Sequence, residues 1–313
     1  MIRDLRFAVR GLRKNPRFTT AAVLTLALGI GANLAVFTLV NSVLLMPLPY
    51  DDPSEVVVVW PNAAFSKQEF VEGRELFQAY DELALMAAYS FSMTGHGEAE
   101  RLIGVRATAD IFELLGVEAA IGRTFAPDED QPGKERVVVL SHGLWRRRFA
   151  EDREIVGRDI MLDGQPYTVI GVMPEGFFFP EVDRELWVPA PLDPSEANDY
   201  PAHYLTLIGR LEDGATLGGA RSDLGRFIAI VRETREVPDD FGADADVVTL
   251  RSYMVGDTRT ALVIILGAVG FVLLLACVNV ANLMLARGTR RVRELAVRTA
   301  IGAGRHQIVR QLL

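Results

Sequence analysis

ALVIILGAVGFVLLLACVNVANLMLA, residues 261–286, runs for 26 residues without an Asp, Glu, Lys, Arg or His. As a helix rising about 1.5 Å per residue it reaches roughly 40 Å, more than the roughly 30 Å apolar thickness of a bilayer. It therefore predicts a transmembrane helix. FTTAAVLTLALGIGANLAVFTLVNSVLL, residues 18–45, repeats the pattern over 28 residues. A cleaved signal peptide is the alternative for this earlier stretch, but its apolar character continues well past Ala32 and Ala35, and signal cores run only about 7 to 15 residues. Two spans bracketing the long middle of the chain set the frame for everything else.

Charge sorts around the two stretches. Before the first stand Arg3, Arg6, Arg10, Arg13, Lys14 and Arg17 against Asp4; after the second stand Arg287, Arg290, Arg291, Arg293, Arg298, Arg305 and Arg310 against Glu294. Of 33 basic and 41 acidic residues, 20 basic and 39 acidic remain for the middle, a net of −19 within a chain of −8. Short basic flanks are retained in the cytoplasm, so both termini are expected inside and the acidic middle outside. Such a charge disfavours nucleic acid or acidic lipid as ligands of the middle domain. The sole cysteine, Cys277, lies in the second span, so the domain must hold together without disulfides.

The opening RDLRFAVRGLRKNP sets Leu5, Phe7, Ala8, Val9 and Leu12 among arginines. It reads equally as an amphipathic helix lying on membrane lipid or as a plain basic flank over residues 1–17. Within the first span Ala27, Gly31 and Ala35 recur at every fourth residue, a small-residue stripe expected to let another helix approach closely. Prolines in MPLPYDDP (46–53) end the span. Strands are then expected at EVVVVW (55–60), 82–95, 99–108, RVVVLS (136–141), HYLTLIGRL (203–211) and DVVTLRSY (246–253). Helices are expected at 66–80, 110–117, 142–152 and 217–236. RDIMLDGQPYTVIGVM (158–173) reads as a hairpin turning at Asp163-Gly164. The expected fold is α+β, a two-lobed extracytoplasmic domain over 46–258 with an inserted lobe at about 110–200. GFFF (176–179) reads as core plug rather than exposed patch.

Catalytic signatures are missing. The three lysines, Lys14, Lys67 and Lys134, are followed by Asn, Gln and Glu, so no phosphate-cradling G-x4-G-K-[ST] loop exists. His96, His142, His203 and His306 are scattered, and Ser141-His142 adjacency is not a catalytic arrangement, because sequence neighbours point different ways. No catalytic residue, cofactor or metal site is expected. The remaining feature is RVRELAVRTAIGAGRHQIVRQLL (291–313), where a charged helix meets Gly302 and Gly304 and then an apolar stretch. Two short helices hinged by glycines could present a knob to the cytoplasm; a mere basic flank is the plainer reading.

RRVRELAVRTAIGAGRHQIVRQLL resembles the segment after the second span in bacterial permeases of the FtsX-like class. The blocks FELLGVEAAIGRTF and VVVLSHGLWRRRFAEDREIVGRDIMLDGQPYTVIGVMPEGFFFP resemble their MacB-type periplasmic core domain. The opening through PLPYDDP is similar to the duplicated permeases related to the macrolide exporter MacB. The resemblance implies an inner-membrane mechanotransmission machine, in which a separate ATPase subunit of an ABC transporter pushes the cytoplasmic segment and stiff helices relay the movement to the periplasmic domain. It also implies a second permease unit, as homodimer or duplicated half, and a periplasmic partner. By resemblance, Arg291, Glu294, Arg298, Gly302, Gly304 and Arg305 match the coupling segment. Such permeases carry four spans per unit, so this chain is expected to be a fragment stopping before a third span. A membrane-anchored binding or scaffold protein without energy coupling is the alternative. An extracytoplasmic enzyme would need clustered polar side chains in a pocket.

Overall fold

The computed structural model describes residues 16–40, 48–95, 97–191, 203–256 and 258–300. The chain divides into two compact units, 47–256 and the pair of flanking segments 1–46 and 257–313.

In the flanking unit, helix α1 spans Pro16–Val40 and packs against a long helix that spans Thr258–Ala300, labelled α7 below. Proline opens α1, where its missing N–H costs nothing. Against the two spans expected from sequence, one stretch among the described residues, Ala261–Asn282 in the long helix, is long and apolar enough to cross a bilayer. The apolar run of α1, Val23–Thr38, is shorter, and the remainder of the expected first span, 41–45, lies outside the described residues. So does the expected amphipathic opening, 1–15.

The 47–256 unit is built on one ten-stranded mixed sheet. Its strands are β1 (Val56–Val59), β2 (Tyr80–Thr94), β3 (Glu100–Ala107), β4 (Ile121–Gly122), β5 (Val137–Leu140), β6 (Asp159–Leu162), β7 (Gln165–Val172), β8 (Leu186–Pro189), β9 (Thr206–Leu211) and β10 (Val247–Thr249). Their order is β10-β1-β9-β2-β3-β8-β5-β7-β4, with β6 pairing both β2 and β7. The β3–β8 and β5–β7 pairs are parallel and the rest antiparallel. Six helices complete the count in chain order: α2 (Lys67–Gly73), α3 (Ile111–Leu114), α4 (His142–Phe149), α5 (Leu217–Thr234), α6 (Leu250–Val255) and α7.

Alternation along the strands sorts their side chains into three cores. On one face Val57, Val59, Leu83, Leu85 and Leu207 pack beneath Phe70 of α2 and Leu224, Phe227 and Val231 of α5. Farther along the same face Phe91, Met93, Leu102, Leu186 and Val188 pack beneath Leu144, Trp145 and Phe149 of α4. On the reverse face Val56, Val58, Ala84, Met86, Val105, Ile208 and Trp187 meet Phe112 of α3 and Leu250 of α6. The two lobes expected from sequence are joined through this sheet. At 15 residues, β2 is long enough to pair with β9, β3 and β6 in turn, so the lobes share one sheet and differ only in which helices cover it.

Two local expectations also change. The segment expected as a strand over 246–253 holds only β10 before turning into α6, because the Thr249 hydroxyl accepts from Ser252 N at 3.2 Å and caps a helix there. The helix expected over 66–80 starts at a capping box, Ser66 with Glu69, but gives way to a 3-10 turn at Arg74–Leu76. A Cβ at Gly73 would stand 2.8 Å from the Phe227 ring; that closeness holds the short helix down on α5. The expected hairpin turns at Asp163 and Gly164 with φ of 51° and 74°, the backbone a two-residue β-turn demands. Phe179 is fully buried and Phe177 packs on the same core.

Candidate functional site

Two crevices among the described residues gather charged side chains. Ser141 is a helix cap, its Oγ accepting from Leu144 N at 3.1 Å. Among the described residues no group of three or more His, Cys, Asp or Glu is placed to hold a metal. A crevice of about 280 Å³ brings Trp60, Phe65, Phe227 and Phe241 beside Glu69 and His203. The buried Glu69 carboxylate is held there by three neighbours: Ser66 N donates at 3.0 Å, His203 Nε2 stands at 3.0 Å and Arg235 Nη1 at 3.4 Å. An acid so engaged ties the α2 cap to its neighbours.

A groove of about 420 Å³ beside α3 is lined by Asp51, Asp110, Glu113 and Glu118 over Phe112 and Phe125. Burial pushes the Asp110 carboxyl up; Arg74, 3.7 Å away, pulls it back, while Asp130 and Glu113 add to the rise. Burial likewise raises Glu82, with Glu113, Asp81 and Asp110 adding and Arg210 opposing. Arg210 is the tie of this region. Its Nε donates to Leu114 O at 2.7 Å, its Nη2 donates to Asp51 O at 2.9 Å, and its Nη1 lies 3.3 Å from Glu55 Oε2. One guanidinium on β9 thus joins the entry loop before β1 to the end of α3.

The flanking helix pair is closely packed. Gly29 is buried on α1, and a Cβ there would stand 3.3 Å from Ala276 Cβ and 3.4 Å from a Leu273 methyl on α7. Four residues on, Asn33 Nδ2 donates to Gly29 O at 2.9 Å within α1 and to Val269 O at 3.1 Å across the pair. The second bond, across the pair, favours the paired state by a modest amount, since the amide keeps its partner within α1 when the helices part. The stripe named from sequence falls elsewhere: Ala27, Gly31 and Ala35 lie on the exposed side of α1, and a Cβ on Gly31 would meet nothing within 4 Å. Asn33, a lone amide in an apolar run, was the sequence signal for the packed face. Of the coupling residues, Arg291, Glu294 and Arg298 lie on α7, which continues as helix from the apolar stretch to Ala300. Gly302, Gly304 and Arg305 lie outside the described residues.

Residues 19–227 match the family model of the MacB-like periplasmic core domain. A macrolide export ATP-binding/permease protein MacB of Burkholderia cenocepacia is 29% identical over 206 residues, covering 64% of this chain and 29% of that protein. Its namesake in Agrobacterium fabrum is 30% identical over 215 residues, covering 66% of this chain and 31% of that protein. The chain therefore spans under a third of the length of these relatives. Among solved structures, the periplasmic region of MacB from Actinobacillus actinomycetemcomitans overlays with a TM-score of 0.45 at 13% identity, covering 64% of this chain and 91% of that one.

Proposed function

The chain belongs to the MacB-like periplasmic core domain family, and from that membership we propose that it serves in the permease subunit of an ATP-driven export complex. On this reading it sits in a bacterial inner membrane with both termini in the cytoplasm and the 47–256 domain outside. A separate ATPase subunit supplies the hydrolysis, a second permease unit completes the assembly, and the chain relays conformational change to a periplasmic partner. Its charge pattern supports the orientation, with arginine-rich flanks on the retained side.

The observation that carries the relay is the continuity of α7. It runs 43 residues without a break, about 65 Å at the helical rise and roughly twice the apolar thickness of a bilayer. A helix of that kind is stiff against bending except at Pro or Gly/Ser pairs, so a push on its arginine-rich end displaces its whole length. The packing of α1 on α7 through Gly29 and Asn33 adds a second rod to the first. In this role Arg291, Glu294, Arg298, Gly302, Gly304 and Arg305 receive contact from the ATPase and perform no chemistry themselves.

The test is reconstitution of a four-span form with an ATPase subunit encoded beside it. Glu294→Lys and Gly302→Pro should each weaken co-purification and reduce stimulation of ATP hydrolysis. Wild-type binding and stimulation in both variants would remove the relay. A scaffold without energy coupling would instead keep complementing after the chain is stopped at Arg287.

A further inference from the structure

Strand β2 keeps a stretch of open edge between two of its partners. Backbone hydrogen bonds along an antiparallel strand alternate in direction. Leu85 O accepts from Thr108 N at 2.9 Å, so the odd-numbered residues turn their amides toward β3. Even-numbered residues turn theirs the other way. Met86 faces Thr206 of β9, and Ser92 faces the turn after β6, where its O accepts from Asp163 N at 2.9 Å and its N donates to Asp163 Oδ1 at 2.8 Å. Ala88 and Ser90 lie between and point the same way, but neither β9 nor β6 reaches them. At that point Leu205, the residue before β9, pairs with Phe65 instead. Among the described residues the N–H and C=O groups of Ala88 and Ser90 have no hydrogen-bond partner.

From Met86 to Ser92 the extended chain covers about 20 Å, room for one short added strand. Sheet edges are commonly guarded by charge, proline or a bulge. AAYSF (87–91) has no charged residue, no proline and no register shift against β3. Its side chains also offer contact area: Tyr89 is 41% exposed on one face, and on the other Ile103 of β3, opposite Ser90, is 38% exposed. We propose that this edge is a docking site for an extended, uncharged or basic segment of a partner protein, which adds to β2 as a strand between β9 and β6.

Shape and charge select that occupant. A second copy of the chain would bring an edge flanked by its own β9 and β6, and two such recessed edges cannot reach each other. The net of −19 over the middle of the chain repels an acidic segment and accepts a neutral or basic one. Main-chain bonds supply the affinity, while Tyr89 and Ile103 favour apolar or β-branched residues at alternate positions of the added strand. Docking here needs no ATPase, so it stands or falls apart from the relay.

The test uses the full chain in detergent micelles and a fluorescent, end-capped heptapeptide that alternates threonine and valine between terminal lysines. It should bind saturably by anisotropy. The same peptide with every internal amide N-methylated keeps its side chains and charge and should not bind; one with terminal glutamates should bind more weakly. Ser90→Pro deletes an N–H that no neighbouring strand uses, a position where proline is tolerated. It should weaken binding about tenfold with an unchanged thermal unfolding midpoint. Hydrogen exchange locates the site without any substitution: saturating peptide should slow exchange within 86–92 about tenfold and leave the rest of the domain unchanged. Equal binding of the N-methylated peptide, equal or tighter binding of the glutamate-ended one, wild-type binding by Ser90→Pro, absence of saturable binding, or unaltered exchange within 86–92 would each overturn the proposal.

Discussion

Replacing Gly29 should part α1 from α7, and replacing Gly31, half a turn away, should not. An ideal Cβ on Gly29 stands 3.3 Å from Ala276 Cβ, whereas one on Gly31 has nothing within 4 Å. Gly29→Leu forces four carbons into a contact already tight for one, a class of overpacking that costs about 1–3 kcal/mol. Separation of the helices also forfeits the bond from Asn33 to Val269 O, about 0.6–1.7 kcal/mol for an interhelical hydrogen bond in lipid. The two together predict roughly 2–5 kcal/mol for Gly29→Leu and close to nothing for Gly31→Leu, read from the unfolding of the helix pair in mixed micelles of rising SDS content. The geometry can be read directly by oxidation. With Cys277 replaced by Ser, the pair Gly29→Cys and Ala276→Cys places its Cβ atoms near the roughly 3.8 Å mean of disulfides. It should lose both thiols to maleimide after mild oxidation, and Gly31→Cys with Ala276→Cys should keep them. Efficient closure of the Gly31 pair, or destabilisation by Gly31→Leu equal to that by Gly29→Leu, would refute the packing face assigned to α1.

Two further outcomes concern the 47–256 domain. Arg210→Ala strips the donors from the part-buried bond to Leu114 O and the exposed bond to Asp51 O and should lower stability by about 1–2 kcal/mol, mostly from the first; Arg210→Lys should recover only part, which urea unfolding would measure. Glu82 and Asp110 have folded pKa values raised above their ordinary ones, first by burial and then by neighbouring acids. Their protonated forms are thus favoured by folding, and the stability they contribute is full below the ordinary carboxylate range and lost as pH rises through their folded pKa values. Glu82→Gln should therefore raise the unfolding midpoint at pH 7 and leave it nearly unchanged at pH 4; a gain at pH 4 as large as at pH 7 would count against the electrostatic cause.

How far the chain could be read beforehand depended on the range of the interaction. The helix of 217–234 was legible because its apolar residues recur at helical spacing, and β6 with β7 was legible because Asp163-Gly164 is a turn signal by itself. Strand β8, LWVP, was not. All four of its residues are buried, so it has no alternation to betray it, and its place between β3 and β5 rests on partners some 50 to 80 residues away in sequence. The coupling residues were named from resemblance, and α7 carries three of them.

The order of amino acids by itself set the apolar length of 261–286, the charge pattern from which an inside and an outside are expected, and the strand and helix periods of the middle. Each of these is a sum over local residues, whether of transfer energies, flanking charges or backbone preferences. Tertiary structure alone decided that Gly29 and not Gly31 meets α7, and that one long strand underlies two cores. Those outcomes depend on which surfaces meet, and distant segments choose their contacts by mutual fit, which no single stretch of chain contains.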